Sequence, residues 1–211
     1  GVQHRGGKGK MGMQKLENND DEVRDMFVAK NHDELLFFTS LGRVYSMRVY
    51  AVAEGSRIAK GRAVVNLLPL VEGESVVRLL CMRDMKDKNI VMVTKKGIIK
   101  KTDAKSFAKI RVSGIRALGL RDDDALSFCG VSSGKDDIVI ATAHGQGIRF
   151  NEKEVRAMGR QAAGVIGIRL KSDDCVVGME IIDDENKNIL FATQKGYGKR
   201  TRVGDFRVAH R

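Results

Sequence analysis

The chain has 211 residues, 42% of them hydrophobic, which is enough to bury a substantial core as one large domain or two small ones. Its formal net charge of +11 makes a polyanion, either nucleic acid or an anionic membrane surface, the leading class of partner. No apolar run approaches the length of a membrane span and no signal-peptide pattern opens the chain; Cys81, Cys129 and Cys175 each stand alone, without a CxxC or Cys/His cluster, as reduced thiols of a cytosolic protein do.

Near the amino end lies a dense basic segment, Gln3-His4-Arg5-Gly6-Gly7-Lys8-Gly9-Lys10. Its glycines free the backbone to take positive φ and to approach a ligand closely, and the interleaved cations suit a polyanion lying across a loop. Taken alone, the same residues also describe a solvated basic loop.

From residue 35 onward, short runs rich in Val, Ile, Leu and Phe end at glycine turns. Leu35–Thr39 leads into Ser40-Leu41-Gly42, Ile90–Thr94 into Lys95-Lys96-Gly97, Ile138–Thr142 into Ala143-His144-Gly145, and Ile189–Thr193 into Gln194-Lys195-Gly196. Strand, two turn-tolerant residues, glycine and strand again predict a β-hairpin with the glycine in the left-handed position. The four hairpin glycines are 55, 48 and 51 residues apart.

Two further markers keep the same phase. Gly61, Gly114 and Gly164 follow the hairpin glycines by 19, 17 and 19 residues, each leading a strand-like segment. Acidic turns at Asp20–Glu22, Glu72–Glu74, Asp122–Asp124 and Asp173-Asp174 then precede apolar strands at Val23–Val28, Val76–Cys81, Leu126–Val131 and Val176–Ile182. Each period of about 50 residues therefore holds about four strands, as in propeller-like blades whose sheets bury each other's faces. A β-sandwich of short strands is the alternative, although it does not call for three markers recurring in one order. Helix-like spacing at Asp103–Phe107 and Asn151–Gly159 reads as single helical turns.

The strand leaving each hairpin glycine carries charge at a fixed offset. Four residues on lie Lys101, Arg149 and Arg200, with Ser46 in the first copy; three residues on lie Lys100 and Lys199. Lys95, Lys96 and Lys195 occupy the turns, and Arg43 follows its glycine. Repeated on successive blades, these cations predict a basic rim along which a nucleic-acid backbone could lie. No zinc finger, helix-turn-helix pattern or aromatic platform is visible, so the expected mode is sequence-tolerant binding of duplex through phosphates.

With repeats and basic segment together, the chain resembles the carboxy-terminal DNA-wrapping domains of bacterial DNA gyrase A subunits. Their defining heptapeptide reads Gln-Arg-Arg-Gly-Gly-Lys-Gly, and Gln3–Gly9 matches it at six of seven places, with His4 replacing an arginine. The resemblance spans the whole chain and implies one all-β domain over residues 1–211. This is a propeller-like β-pinwheel of four-stranded blades, strands being exchanged between neighbours. About four repeats of roughly 51 residues are present where the family usually has about six blades; either the carboxy-terminal strands complete the blade that the basic segment begins, or, as the resemblance favours, further blades are expected.

The resemblance also implies a non-catalytic module that wraps duplex DNA with positive handedness and so enables negative supercoiling. Its partners would be DNA, the rest of the gyrase A subunit, and the B subunit in an A2B2 complex in the bacterial cytoplasm at the nucleoid, with no membrane. It would need no cofactor of its own, since ATP and Mg²⁺ serve other parts of the holoenzyme. Topoisomerase IV, whose heptapeptide is degraded or absent, is the neighbouring alternative, and a propeller scaffold for proteins the more distant one. No GxxxxGK[ST], HExxH, GxSxG or CxxC motif marks an active site. The expected DNA-binding residues are Gln3, His4, Arg5, Gly6, Gly7, Lys8, Gly9 and Lys10 in the heptapeptide region. On the rim they are Arg43, Lys95, Lys96, Lys100, Lys101, Arg149, Lys195, Lys199 and Arg200.

Overall fold

The structure, a computed structural model, describes residues 25–55 and 61–211. The basic segment Gln3–Lys10 and the first acidic turn lie outside the described residues. Thirteen strands are present among those described, with short 3₁₀ turns between them.

Four hairpins form where the repeated glycines predict them: β1 (Glu34–Thr39) with β2 (Arg43–Arg48), β4 (Asn89–Thr94) with β5 (Ile98–Asp103), β8 (Asp137–Thr142) with β9 (Gly147–Asn151), and β12 (Asn188–Ala192) with β13 (Gly198–Arg202). Each acidic turn leads into a strand pairing with the hairpin before it: β3 (Val76–Met82) on β1, β7 (Leu126–Ser132) on β4, and β11 (Val176–Ile182) on β8.

Strands do pass between blades. The short β6 (Ile115–Arg116) follows the second hairpin in sequence but pairs with β2 of the first; β10 (Val165–Ile166) follows the third hairpin and pairs with β5 of the second. The resulting sheets have the orders β3-β1-β2-β6 and β10-β5-β4-β7, then β11-β8-β9 and β12-β13. The segment after Gly61, expected as a strand, forms a 3₁₀ turn at Val64–Asn66 instead. Its counterparts pair with the hairpin of the preceding period, and no such hairpin precedes it among the described residues. Residues 25–28 of the expected strand Val23–Val28 are likewise unpaired.

Successive residues of a strand point to opposite faces, so each central strand supplies two cores. Leu36 and Phe38 of the first blade pack with Ile90, Met92 and Phe107 of the second, the Phe38 and Phe107 rings meeting edge to face at 5.7 Å. Val91 and Val93 face the other way, onto Ile138, Ile140 and Phe150 of the third blade. Val139 continues the series with Ile189 of the fourth.

Hydrogen bonds hold the exchange in place. The Gly97 carbonyl accepts from both Gly167 and Ile168 amides, as the Gly42 carbonyl does from Ala117 and Leu118. A Cβ on Gly97, whose φ is +81°, would lie 2.7 Å from the Ile168 carbonyl oxygen. Gly164 is tighter still: at φ +91°, a Cβ there would stand 2.5 Å from the Ile99 carbonyl oxygen, directly over the strand that β10 covers. Gly164→Ala therefore combines left-handed strain of about 1–3 kcal/mol with a backbone clash. The expected result is a thermal midpoint lowered by at least several degrees in a calorimetric scan.

The acidic turns cap the hairpin turns. Asp123 and Asp173 take φ of +56° and +65°, a conformation aspartate tolerates better than most residues. Asp124 then accepts from the Lys96 and Ala125 amides at 3.0 and 2.9 Å, and Asp174 from those of His144 and Cys175 at 3.0 and 2.8 Å. In the first blade, buried Glu74 takes the hydroxyls of Thr39 (2.6 Å) and Tyr45 (2.9 Å) and the Val71 amide. Although burial works against its charge, these donors together with Arg43 hold its carboxyl below the ordinary range. The helix-like stretches are 3₁₀ turns at Ala104–Phe107 and Glu152–Glu154, and no helix among the described residues is long and apolar enough to cross a membrane.

Candidate nucleic-acid interface

The contacts that join successive blades also decide which cations face solvent. β10 covers the outer edge of β5 at Ile98 and Ile99, and the segment after the next hairpin closes against the strand beyond, at Lys101 on β5 and at Arg149 on β9, so three residues expected on the rim are buried. Lys100 is fully buried, its Nζ donating to the Ala117 carbonyl at 2.7 Å and the Arg160 carbonyl at 2.6 Å. Lys101 is 7% exposed; it donates to the Glu152 carbonyl at 2.7 Å and lies 3.4 Å from the Glu152 carboxylate. Arg149, 3% exposed, donates to the Val203 and Phe206 carbonyls at 2.9 and 3.3 Å and pairs with Asp137 and Glu185. None of the three presents its charge to a phosphate; each joins neighbouring blades from inside.

The sequence held a signal for this. Lys100 and Lys101 are adjacent on a strand and must point to opposite faces, so they cannot both line one rim. Flanked by Ile98 and Ile99, they mark a strand buried on both sides.

Among the described residues Lys100 has no carboxylate partner, and burial pulls its ammonium from an ordinary 10.5 down to about 8. Between these values the unfolded chain holds a proton that the folded chain has released, so this group's contribution to stability rises as pH increases from 8 to 10.5. Urea unfolding of the unaltered chain minus that of Lys100→Met isolates it. The difference should grow in favour of the unaltered chain across that window, by an amount on the order of 2–3 kcal/mol.

Other cations are exposed on and beside the hairpin turns. Lys95 and Lys96 are exposed on the second turn, and Lys96 Nζ bonds the Asp122 carbonyl at 3.1 Å. Residues 117–126 wrap the first turn, with the Leu126 amide bonded to the Ser40 carbonyl; they carry exposed Arg121 to a point between the first two turns. Residues 167–176 wrap the second turn in the same way, through Val176 to the Lys95 carbonyl, and bring exposed Arg169 and Lys171 beside it. Arg169 is the basic residue of the strand-like segment that Gly164 leads and was not expected on the rim; Arg121 and Lys171 carry no marker of their own, although they hold one phase just before successive acidic turns.

The remaining expected residues divide. Lys195, Lys199 and Arg200 are exposed on the fourth hairpin, where β13 has no covering strand among the described residues. Arg43 is half-buried. It bonds the Ser113 carbonyl, sits 5.5 Å over the Tyr45 ring and 3.8 Å from Glu74. Across the sheet it stands opposite exposed Arg116, a like-charge cross-strand pair that the Glu74 carboxylate beside Arg43 helps to offset. Among the described residues no group of three or more His, Cys, Asp or Glu side chains could hold a metal ion.

A family model described as the DNA gyrase C-terminal domain, beta-propeller, matches residues 1–30, 33–81, 88–133, 136–183 and 187–211. The chain belongs to this family. The A subunit of DNA gyrase from Haloquadratum walsbyi is 41% identical over 215 residues, covering 99% of this chain and 25% of that protein. The chain thus spans about a quarter of the length of the curated relatives it matches. Among solved structures, the C-terminal domain of DNA topoisomerase IV aligns with a TM-score of 0.78 at 28% identity, over 86% of this chain and 57% of that one. A DNA gyrase A C-terminal domain aligns at 0.73 and 22% identity, over 95% and 66%, a likeness of fold. For a member of the gyrase C-terminal domain family, the exchanged strands and interlocked turns supply the propeller-like architecture that the family's description names.

Proposed function

We propose that the chain is a non-catalytic module that binds duplex DNA without sequence preference and bends it along a basic surface, serving as the DNA-wrapping part of a gyrase A subunit. The observation that carries this reading, given the family, is the gathering of exposed Lys95, Lys96, Arg121, Arg169 and Lys171 around the hairpin turns of a chain with net charge +11. Cations carried on rigid turns can neutralise successive phosphates, and distributed phosphate contacts offset the elastic cost of bending. In the whole protein the module would work with the rest of the A subunit and with the B subunit in an A2B2 assembly at the nucleoid, using no cofactor of its own. ATP and Mg²⁺ would serve the other parts.

Two measurements test the reading. Filter binding to duplex should give an affinity falling linearly with salt on a log–log plot, and little affinity or indifference to salt would overturn it. Relaxing closed circular DNA with the chain bound should shift the linking number with the positive handedness of a wrap. Arg5→Ala with Lys8→Ala should remove that shift while leaving the chain folded. A topoisomerase IV-type module, the reading favoured by the 0.78 alignment, would bind with the same salt dependence and leave the linking number indifferent to the heptapeptide.

A further inference from the structure

Lys101 and Arg149 hold the same repeat position, the fourth residue after a hairpin glycine, and they make the same contact. Each reaches the carbonyl of the first residue of the next blade's 3₁₀ turn, Glu152 at 2.7 Å and Val203 at 2.9 Å. Backbone bridges lie beside both contacts, Lys101 with Ala157 and Arg149 with Val208. The anchoring differs in strength. Arg149 adds the Phe206 carbonyl and two carboxylates, Lys101 has the Glu152 carboxylate, and Ser46 at the first junction offers no cation at all.

We infer that Lys101 and Arg149 are positioning residues that fix the angle between successive blades, and so set how far bound DNA is bent without themselves touching it. This rests on the DNA-wrapping reading. Duplex DNA is stiff, with a persistence length of about 150 bp, and pushes back on any surface that bends it. That restoring load falls on the blade junctions. Apolar cores such as Val93 against Ile140 resist separation but are non-directional and permit sliding. A buried cation aimed at one carbonyl is directional and admits a single arrangement. A buried ion pair is weak evidence for stability, because replacing both partners by apolar side chains of similar volume often stabilises as well. What the apolar replacement lacks is the fixed angle.

The test uses Lys101→Met, Arg149→Met and, as the conservative partner, Lys101→Arg, each checked for folding by circular dichroism. Duplex affinity should stay within about twofold of the unaltered chain in all three, since these side chains face no phosphate. The linking-number shift per bound chain should fall by half or more in both methionine variants and be kept in Lys101→Arg. Without DNA, the amides of residues 152–158 should exchange at least tenfold faster in Lys101→Met and at the original rate in Lys101→Arg.

A linking-number shift that survives both methionine substitutions would overturn the inference, as would affinity lost in step with the shift while amide exchange stayed unchanged. If the unaltered chain bound no DNA, the wrapping reading would fail and the inference with it. That outcome is distinct from normal binding with an unaltered shift, which defeats the clamp alone. Should a methionine variant fail to fold, Arg149→Lys decides: it keeps a donor for Val203 but loses the second carbonyl, and its shift should lie between those of the unaltered chain and zero. A shift equal to that of the unaltered chain would overturn the inference.

Discussion

Replacing Glu152 by Ala should lower the unfolding free energy by about 3–5 kcal/mol, the cost typical of leaving a buried charge without its partner. Glu152 is fully buried, and one carboxylate oxygen accepts the Gly134 and Asp136 amides at 2.7 and 3.0 Å. The other accepts the Ser132 hydroxyl at 2.8 Å and faces the Lys101 ammonium at 3.4 Å. Truncation leaves the Lys101 ammonium with the residue-152 backbone carbonyl alone and takes the acceptor from three donors, each costing about 1–3 kcal/mol if water cannot reach it. Glu152→Gln keeps one acceptor oxygen and should cost less, while Glu152→Ala with Lys101→Met should recover part of the loss because the orphaned charge goes too. Urea midpoints of the single and double variants make a cycle. A double variant no more stable than Glu152→Ala would show that the ion pair is not where the energy lies.

The second large effect concerns the exposed turns. Changing Lys95, Lys96, Arg121 and Lys171 together to Gln should weaken duplex binding by about two to three orders of magnitude near 0.1 M salt and reduce the salt slope by between three and four, at about 0.9 per phosphate contact. The loss should be uniform across DNA sequences, because phosphate contacts carry no base information. Stability should change little, since these side chains are at the surface. An unchanged slope would move the DNA path elsewhere, with exposed Lys195, Lys199 and Arg200 on the fourth hairpin next in line.

Much of the architecture was legible in the residues because the markers have local causes. A left-handed turn demands glycine at 42, 97, 145 and 196, and the structure gives all four positive φ. An acid that must accept from the neighbouring hairpin appears at 74, 124 and 174, taking the Thr39 hydroxyl, the Lys96 amide and the His144 amide, each just ahead of its strand. The site was less legible because exposure here has a non-local cause. Lys101 and Arg200 share one repeat position, yet the first is buried and the second exposed. What separates them is whether the residues about 51–57 further on return against the strand, as Glu152, Ala157 and Met158 do at Lys101. Charge periodicity gave the register correctly and the side incorrectly. Arg121 and Lys171 went unremarked for a related reason: they lie on connecting segments, whose path around the hairpin turns depends on the exchange.

The exchanged strands also order events while the chain is being made. β2 ends at Arg48, but the strand that covers its edge, Ile115–Arg116, emerges after the whole second hairpin. At ribosomal rates of roughly 5–20 residues per second, the first blade waits several seconds with that edge unpaired. The second blade waits in the same way, from Asp103 until Val165 arrives. Each nascent blade thus spends its early life with an edge open to other chains, and Arg43 together with exposed Arg48 places charge along β2 during that interval, the means by which open edges ordinarily discourage mispairing.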